Sequence, residues 1–302
     1  CFSQNIGERM AAAKFPVSIN PFGTLFDPLS IHAIFDEANL ESKEEELIFY
    51  QGYWHAVKYH GSFKHKDKAL LLEKIHQSKQ HLISYLKTSG ILMLTYGTAH
   101  VWKTKEKNEI VGNCHKLPGH FFYRHLLSPE EIINTLQQSL FTLKRLFPHL
   151  NVIMSISPVR HLKMGMIENQ LSKSVLKVAV SDLVNKMPEI YYFPAYEIVI
   201  DDLRDYRFYS EDMVHPNYHA TEYVWEKFLQ ACTTPETKNI IKEVAAINLA
   251  AAHKPFYVHS NQHQQFVHKT IEKIEALSAQ YPYLDWSKQL ELLKAQLLPY
   301  II

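Results

Sequence analysis

Apolar and polar positions alternate with two different periods along this chain, and the changes of period mark out its elements. Ile6, Met10 and Ala13 fall at helical spacing, so Ser3–Ala13 is predicted helical, ending before Phe15-Pro16. Phe15–Asn20 reads as a short strand closed by the turn Asn20-Pro21-Phe22-Gly23. Residues 24–90 read as a mostly helical insertion. Helices are expected from Pro28 to Phe35, from Glu44 to Tyr50 and from Ala69 to Thr88, the last with Leu70, Leu71, Ile75, Leu82 and Leu86 on one side. Ile91–Tyr96 is a nearly unbroken apolar run of the kind a buried parallel strand shows. Residues 101–104 and 109–111 suit a hairpin around the polar Lys105–Asn108 turn. Ser128-Pro129-Glu130-Glu131 carries an N-cap Ser, a Pro at N1 and a Glu at N3, and opens a helix to about Leu146. Strands at Asn151–Ser157 and Glu189–Phe193 flank a helix running from Glu168 to about Asn185. A further helix follows Pro216 to about Thr233, and three more (236–252, 260–279 and 286–297) are punctuated by Pro255, Pro282 and Pro299.

Strands alternating with helices predict an α/β fold, a doubly wound, flavodoxin-like parallel sheet. The expected division is a core domain over 1–232 and a helical C-terminal extension over 233–302. At 302 residues the chain is long enough for a substantial core. Its formal net charge of +1 comes from well-mixed charges, without the basic stripe a nucleic-acid binder needs. No apolar run approaches a membrane span. Three cysteines, Cys1, Cys114 and Cys232, read as reduced thiols of a cytoplasmic protein and not as a disulfide framework. No cofactor is implied. A homo-oligomer is compatible with the sequence, which does not specify one. A chain that opens on Cys without Met reads as truncated, with one more strand expected upstream.

The chemistry is concentrated in Asp212-Met213-Val214-His215-Pro216. An Asp three residues before a His can take the Nδ1 proton within one short loop and leave Nε2 facing a nucleophile. Pro216 suits the first position of the next helix. Cys1, just ahead of a helix N-terminus, stands where the helix dipole lowers a thiol pKa. Arg160 and His161 fall at the C-terminal end of a strand, where open α/β sheets place ligands; Arg160 either faces that ligand or pairs with a structural carboxylate. Ser172-Lys173 is not a catalytic pair, because adjacent residues on a helix face different ways. His215-x-x-x-His219 and His259-x-x-x-His263 have metal-ligand spacing, but no H-E-x-x-H accompanies them.

Cys1-Phe2-Ser3-Gln4-Asn5-Ile6-Gly7-Glu8, together with Asn20-Pro21-Phe22-Gly23, Gly97-Thr98-Ala99, Asn113-Cys114-His115-Lys116, Ser157-Pro158-Val159-Arg160-His161 and the Asp212/His215 loop, resembles the GSCFA family over residues 1 to about 230. That family in turn resembles SGNH (GDSL-type) hydrolases. The resemblance implies an esterase-like hydrolase or an acyltransferase, acting on a small-molecule, carbohydrate or lipid acyl ester. It implies Cys1 as nucleophile, with the Ser that the family signature carries one residue upstream as the alternative, His215 as base and Asp212 as its orienting carboxylate. It also implies that Gly23 lends an N–H to an oxyanion hole. Gly97 stands where SGNH proteins carry Gly-x-Asn-Asp. The Asn is absent here, so Asn113, carried back by the hairpin with His115, is the expected replacement donor. Gln51–Phe63, with Trp54 and His60, matches a segment of the same family; it either lines a substrate pocket or packs its aromatics and solvates its histidines. A non-catalytic binding module on a degenerate SGNH fold is the alternative to the enzyme.

Overall fold

A computed structural model describes residues 2–36, 40–41, 45–258 and 260–297. The first helix, α1 (Phe2–Ala12), stops where Lys14 turns into the left-handed region at φ 67°. Its first turn is pinned from two sides: the Ser3 N–H donates to Thr95 Oγ1 at 3.2 Å, and Phe2 stacks on Phe193 with ring centroids 4.9 Å apart. Phe15–Asn20 is irregular, not a strand. Left-handed Lys14 and Asn20 (φ 44°) bound the run, and Pro16 has no N–H to give a ladder. Helix α2 (Pro28–Ala33) is capped by the buried Asp27, whose carboxylate accepts from the Ser30 N–H at 2.8 Å.

Of the stretch expected to be helical, Glu44 to Tyr50, Glu44 lies outside the described residues, 45–47 are irregular, and the rest joins an antiparallel sheet of β1 (Ile48–Tyr50), β2 (Tyr53–His55) and β3 (Lys64–His65). Gln51 and Gly52, at φ 47° and 79°, form the two-residue turn with both central residues left-handed that a tight hairpin prefers. Aromatic and β-branched residues on either side of that turn outweigh the helical reading. Helix α3 (Lys68–Thr88) then buries Leu71, Ile75, Leu82 and Leu86 as its spacing predicts.

Strand β4 (Ile91–Tyr96) enters the central sheet, and β5 (His100–Thr104) pairs with β6 (Ile110–Val111) in the expected hairpin, Trp102 opposite Val111. A third strand, β7 (Phe122–Leu126), extends that small sheet on the other side of β5. Helix α4 (Pro129–Leu146) begins with a complete capping box between Ser128 and Glu131. Ser128→Ala removes the hydroxyl that accepts from the Glu131 N–H; a loss of about 1 kcal/mol is expected by chemical denaturation, with an unchanged m-value. Strand β8 (Asn151–Ile156), helix α5 (Met166–Lys186) and strand β9 (Ile190–Tyr192) complete the central sheet, with parallel order β4-β8-β9 and Ile91 level with Asn151. Leu94, Tyr96, Val152, Met154 and Ile156 of this sheet share one buried cluster with Leu136 and Leu140 of α4 and Leu176, Ala179 and Val180 of α5. The fold is thus mixed α/β around a parallel sheet, which among the described residues contains three strands.

Helix α6 (Tyr218–Cys232) starts two residues after Pro216. Asn217 caps it through its side-chain oxygen, which accepts from the Ala220 N–H, and Pro216 pairs back with Tyr209. Helices α7 (Pro235–Ala252), α8 (Asn261–Gln280) and α9 (Ser287–Lys294) follow. Ile240, Val244, Ile247, Val267, Ile274 and Leu293 form their own core with Trp286. The chain divides into one unit of Cys1–Asn5 with Ser18–Val224 and a second of Ile6–Val17 with Trp225–Ile302. Among the described residues no helix is long and apolar enough to cross a membrane.

Candidate active site

The loop between Tyr209 and Pro216 is a closed turn built on its own backbone. The Ser210 N–H donates to His215 O at 2.8 Å and the Met213 N–H donates to Ser210 O at 2.9 Å. Closing it this tightly puts Met213 in the left-handed region at φ 58°, a conformation costly for a side chain of its size. Asp212 organises the turn from inside: Oδ1 accepts from the Val214 and His215 N–H groups at 2.9 and 3.0 Å, while Oδ2 lies 2.6 Å from His215 Nδ1. These bonds, led by the His215 amide and then its ring, hold the Asp212 carboxyl down at about 2, so it is ionised throughout the physiological range. Nδ1–H therefore has a fixed acceptor, and Nε2 has no hydrogen-bond partner among the described residues. The His215 side chain is 57% exposed, so that nitrogen is open to an incoming molecule.

Arg160 fastens this turn to the end of β8. Its N–H reaches Val214 O at 3.5 Å, its Nη1 donates to Met213 O at 3.2 Å, and its guanidinium lies 4.3 Å from the Tyr209 ring centre and 5.5 Å from that of Tyr206. Its partners among the described residues are thus carbonyls and aromatic faces, not a structural carboxylate. Gly97 follows β4 at the same C-terminal edge. Its N–H donates to Phe26 O at 2.7 Å, and a Cβ there would stand 3.1 Å from His161 Nε2 and 3.3 Å from Phe26 O. The first turn of α1 also sits on this edge, through Thr95 and Phe193.

Beneath the edge lies a lysine whose partners the sequence does not reveal. Lys173 Nζ, buried, donates at 2.6 Å to both Gly97 O and Ser157 O, the carbonyls just past the ends of β4 and β8. Burial lowers its pKa to about 7. Ser172 beside it accepts from the Ala99 N–H at 2.7 Å and bonds the Thr98 hydroxyl at 3.0 Å. The adjacent pair thus does two separate structural jobs, each on the strand-end turns.

The remaining predicted residues form a second group. Gly23, at φ 73°, gives its N–H to Asn20 O at 2.7 Å, so that amide is occupied within its own turn and does not offer the oxyanion contact expected of it. A Cβ on it would come within 2.3 Å of the His60 side chain, whose Nδ1 bonds Ser62. Asn113 spends Oδ1 on the His115 N–H at 2.8 Å. His115 is buried, with Nε2–H directed at Tyr59 O (3.0 Å) and Nδ1 at 3.4 Å from His55 Nδ1; burial lowers its pKa to about 4. Burial likewise pushes the neighbouring Cys114 thiol up to about 11. Trp54 packs on Phe49, with the Lys68 ammonium 5.1 Å from its ring centre. Among the described residues no hydrogen bond, ion pair or ring contact joins Trp54, His60, Asn113 or His115 to His215. Cys1 and His259 lie outside the described residues. Among the described residues no group of three or more His, Cys, Asp or Glu side chains is placed to hold a metal ion.

An α/β protein with an open Asp–His pair at the C-terminal edge of a parallel sheet is the class these features define. The chain belongs to the GSCFA family: that family's sequence model matches residues 1–228. The C-terminal domain of GSCFA domain proteins matches residues 244–299. No curated protein and no solved structure matches the chain.

Proposed function

We propose that this protein is an SGNH-type acyl hydrolase or acyltransferase working through a covalent acyl-enzyme. The observation that carries the reading is the Asp212–His215 pair: an ionised carboxylate 2.6 Å from Nδ1, an Nε2 without a hydrogen-bond partner among the described residues, and a turn closed by its own backbone bonds. Such a pair is the base half of a nucleophile–base–orienter arrangement. Cys1 supplies the other half. It precedes α1 by one residue, and the first turn of α1 is anchored at the sheet edge that carries Gly97, Arg160 and His215.

In the first half-reaction His215 Nε2 takes the Cys1 thiol proton as sulfur bonds to the acyl carbon, and the carbonyl π pair moves onto oxygen. Collapse of that intermediate breaks the ester C–O bond, and the leaving alkoxide takes the proton from His215. In the second, water or another acceptor hydroxyl or amine gives its proton to His215 and attacks the thioester, and the thiol leaves with that proton. Asp212 holds the ring in the productive tautomer and stabilises the imidazolium that forms between the two transfers. Carbohydrate and lipid acyl esters both suit this chemistry.

The test is intact-mass analysis of the full-length protein after incubation with p-nitrophenyl acetate. A stoichiometric 1:1 acetyl adduct is expected, mapped to Cys1 by peptide sequencing and absent from Cys1→Ala. An adduct on another residue replaces the nucleophile; no adduct with acetyl, butyryl and octanoyl esters turns the reading toward a binding module.

A further inference from the structure

The sheet edge lacks the side-chain amide that the sequence comparison leads one to look for after Gly97: Thr98 stands there, with its hydroxyl tied to Ser172 and to the His100 N–H. Asn113, the other candidate, stands in the group around His60, where its Oδ1 accepts from the His115 N–H and lies 3.4 Å from a Cβ placed on Gly61. A developing negative charge beside Gly97 therefore needs another donor.

One side chain at that edge meets the requirement. His161 follows the Arg160 that fastens the catalytic turn. Its backbone N–H donates to Asn169 Oδ1 at 2.8 Å, which fixes the start of the side chain. Its ring stands edge-on to Phe26, with centroids 5.7 Å apart and planes at 76°, and Nε2 points to Gly97 so closely that a methyl group there would stand 3.1 Å away. Neither ring nitrogen has a hydrogen-bond partner among the described residues. Around it lie positive or potentially positive groups: Lys173 below, His100 on the β5 side and His215 across the edge. Burial, then those three charges, lower its pKa to about 4, so the ring is neutral at pH 7 and carries a single N–H. A neutral imidazole held in one orientation is a preorganised donor to a charge that appears only during the reaction, and it does not compete with His215 for the nucleophile's proton.

We infer that His161 is the oxyanion donor of this site, its ring N–H directed at the carbonyl oxygen of the bound acyl group in the space above Gly97. The assignment rests on the acyl-transfer reading. No proton leaves His161 in either half-reaction; it gives a hydrogen bond that strengthens as the carbonyl π pair moves onto oxygen, and Arg160 next to it keeps the His215 turn in register. Gly97 is glycine because that ring and the Phe26 carbonyl occupy the place of a side chain.

The test compares acetylation rates by p-nitrophenyl acetate in the full-length protein and in His161→Leu, His161→Gln and Gly97→Ala. His161→Leu is expected to slow acetylation about 10²- to 10³-fold, the cost of removing one preorganised donor. His161→Gln, which keeps an N–H of similar reach, is expected to lose less. Gly97→Ala is expected to fall between them by displacing the ring. Nitrogen NMR of ¹⁵N-histidine-labelled protein checks the ring independently of catalysis: one protonated and one bare nitrogen are expected for His161 at pH 7. His161→Leu acetylated at the unsubstituted rate overturns the assignment and leaves acyl transfer intact, as does a doubly protonated His161 at pH 7. No acetylation of the unsubstituted protein overturns both.

Discussion

Replacing His215 with alanine is expected to slow acylation by p-nitrophenyl acetate by about 10⁴-fold, the scale on which nucleophile–base systems fail when the base is lost or mis-tautomerised. The thiol must then ionise unaided, and the leaving alkoxide has no proton donor. Stability should hardly change, because the side chain is more than half exposed and its one hydrogen bond is local. That separation of activity from stability makes His215→Ala the most informative single variant. Asp212 tells the two roles of its carboxylate apart. Asp212→Asn retains an oxygen to accept from the Val214 and His215 amides, so the turn should persist while the ring loses its anionic partner. Asp212→Ala removes both, and left-handed Met213 then keeps only its bonds to Ser210 and Arg160. Rates ordered wild type, Asn, Ala support this division; equal rates in Asn and wild type would show that charge on Asp212 is immaterial.

Lys173→Ala is expected to cost about 3–5 kcal/mol by chemical denaturation. It leaves two buried carbonyls, Gly97 O and Ser157 O, without donors at roughly 1–3 kcal/mol each and opens a cavity under the sheet edge. Lys173→Met fills the space and removes the buried charge, so its loss should be smaller. The pH dependence identifies the cause. The lysine's pKa is lowered from 10.5 to about 7 in the folded state, so between those values the unfolded chain binds more protons than the folded one. Its contribution to stability therefore rises with pH from about 7 to 10.5 and is lowest below 7. The stability difference between wild type and Lys173→Met should grow in favour of wild type across that window. A difference that stays flat from pH 7 to 10 would mean that Lys173 is not desolvated as its surroundings indicate.

Much of this architecture is legible in the chain. Helix α4 announces itself through Ser128-Pro129-Glu130-Glu131, β4 and β8 through their apolar runs, and the Asp212–His215 turn through its spacing. Other parts are hidden for physical reasons. The β1–β2 hairpin is signalled by Gln51-Gly52 between aromatic pairs, but each strand is three residues long and too short for a period to emerge. Phe15–Asn20 has the composition of a strand, yet the backbone reversals that bound it appear only in three dimensions. Pro216 looks like a helix start, but Asn217 offers the better cap. Lys173 stands on the same buried stripe as Leu176, Ala179, Val180 and Leu183, and a lysine on a core stripe is itself a signal. What spacing cannot supply is the pair of strand-end carbonyls that receives it. Gly23 shows the converse limit: a polar group's type can be read from the sequence, but whether a neighbour has already taken its hydrogen bond cannot.

The assignment of Ile6–Val17 to the same unit as Trp225–Ile302 has a consequence for how the protein is made. These residues are among the earlier ones of this stretch to leave the ribosome, while their partners are translated roughly two hundred residues later. At about 5–20 residues per second that is a delay of roughly 10 to 40 s, during which the apolar side chains of Ile6–Val17 lack the rest of their unit. Ile6–Val17 is therefore synthesised early, and its own unit is complete only when the last helices arrive.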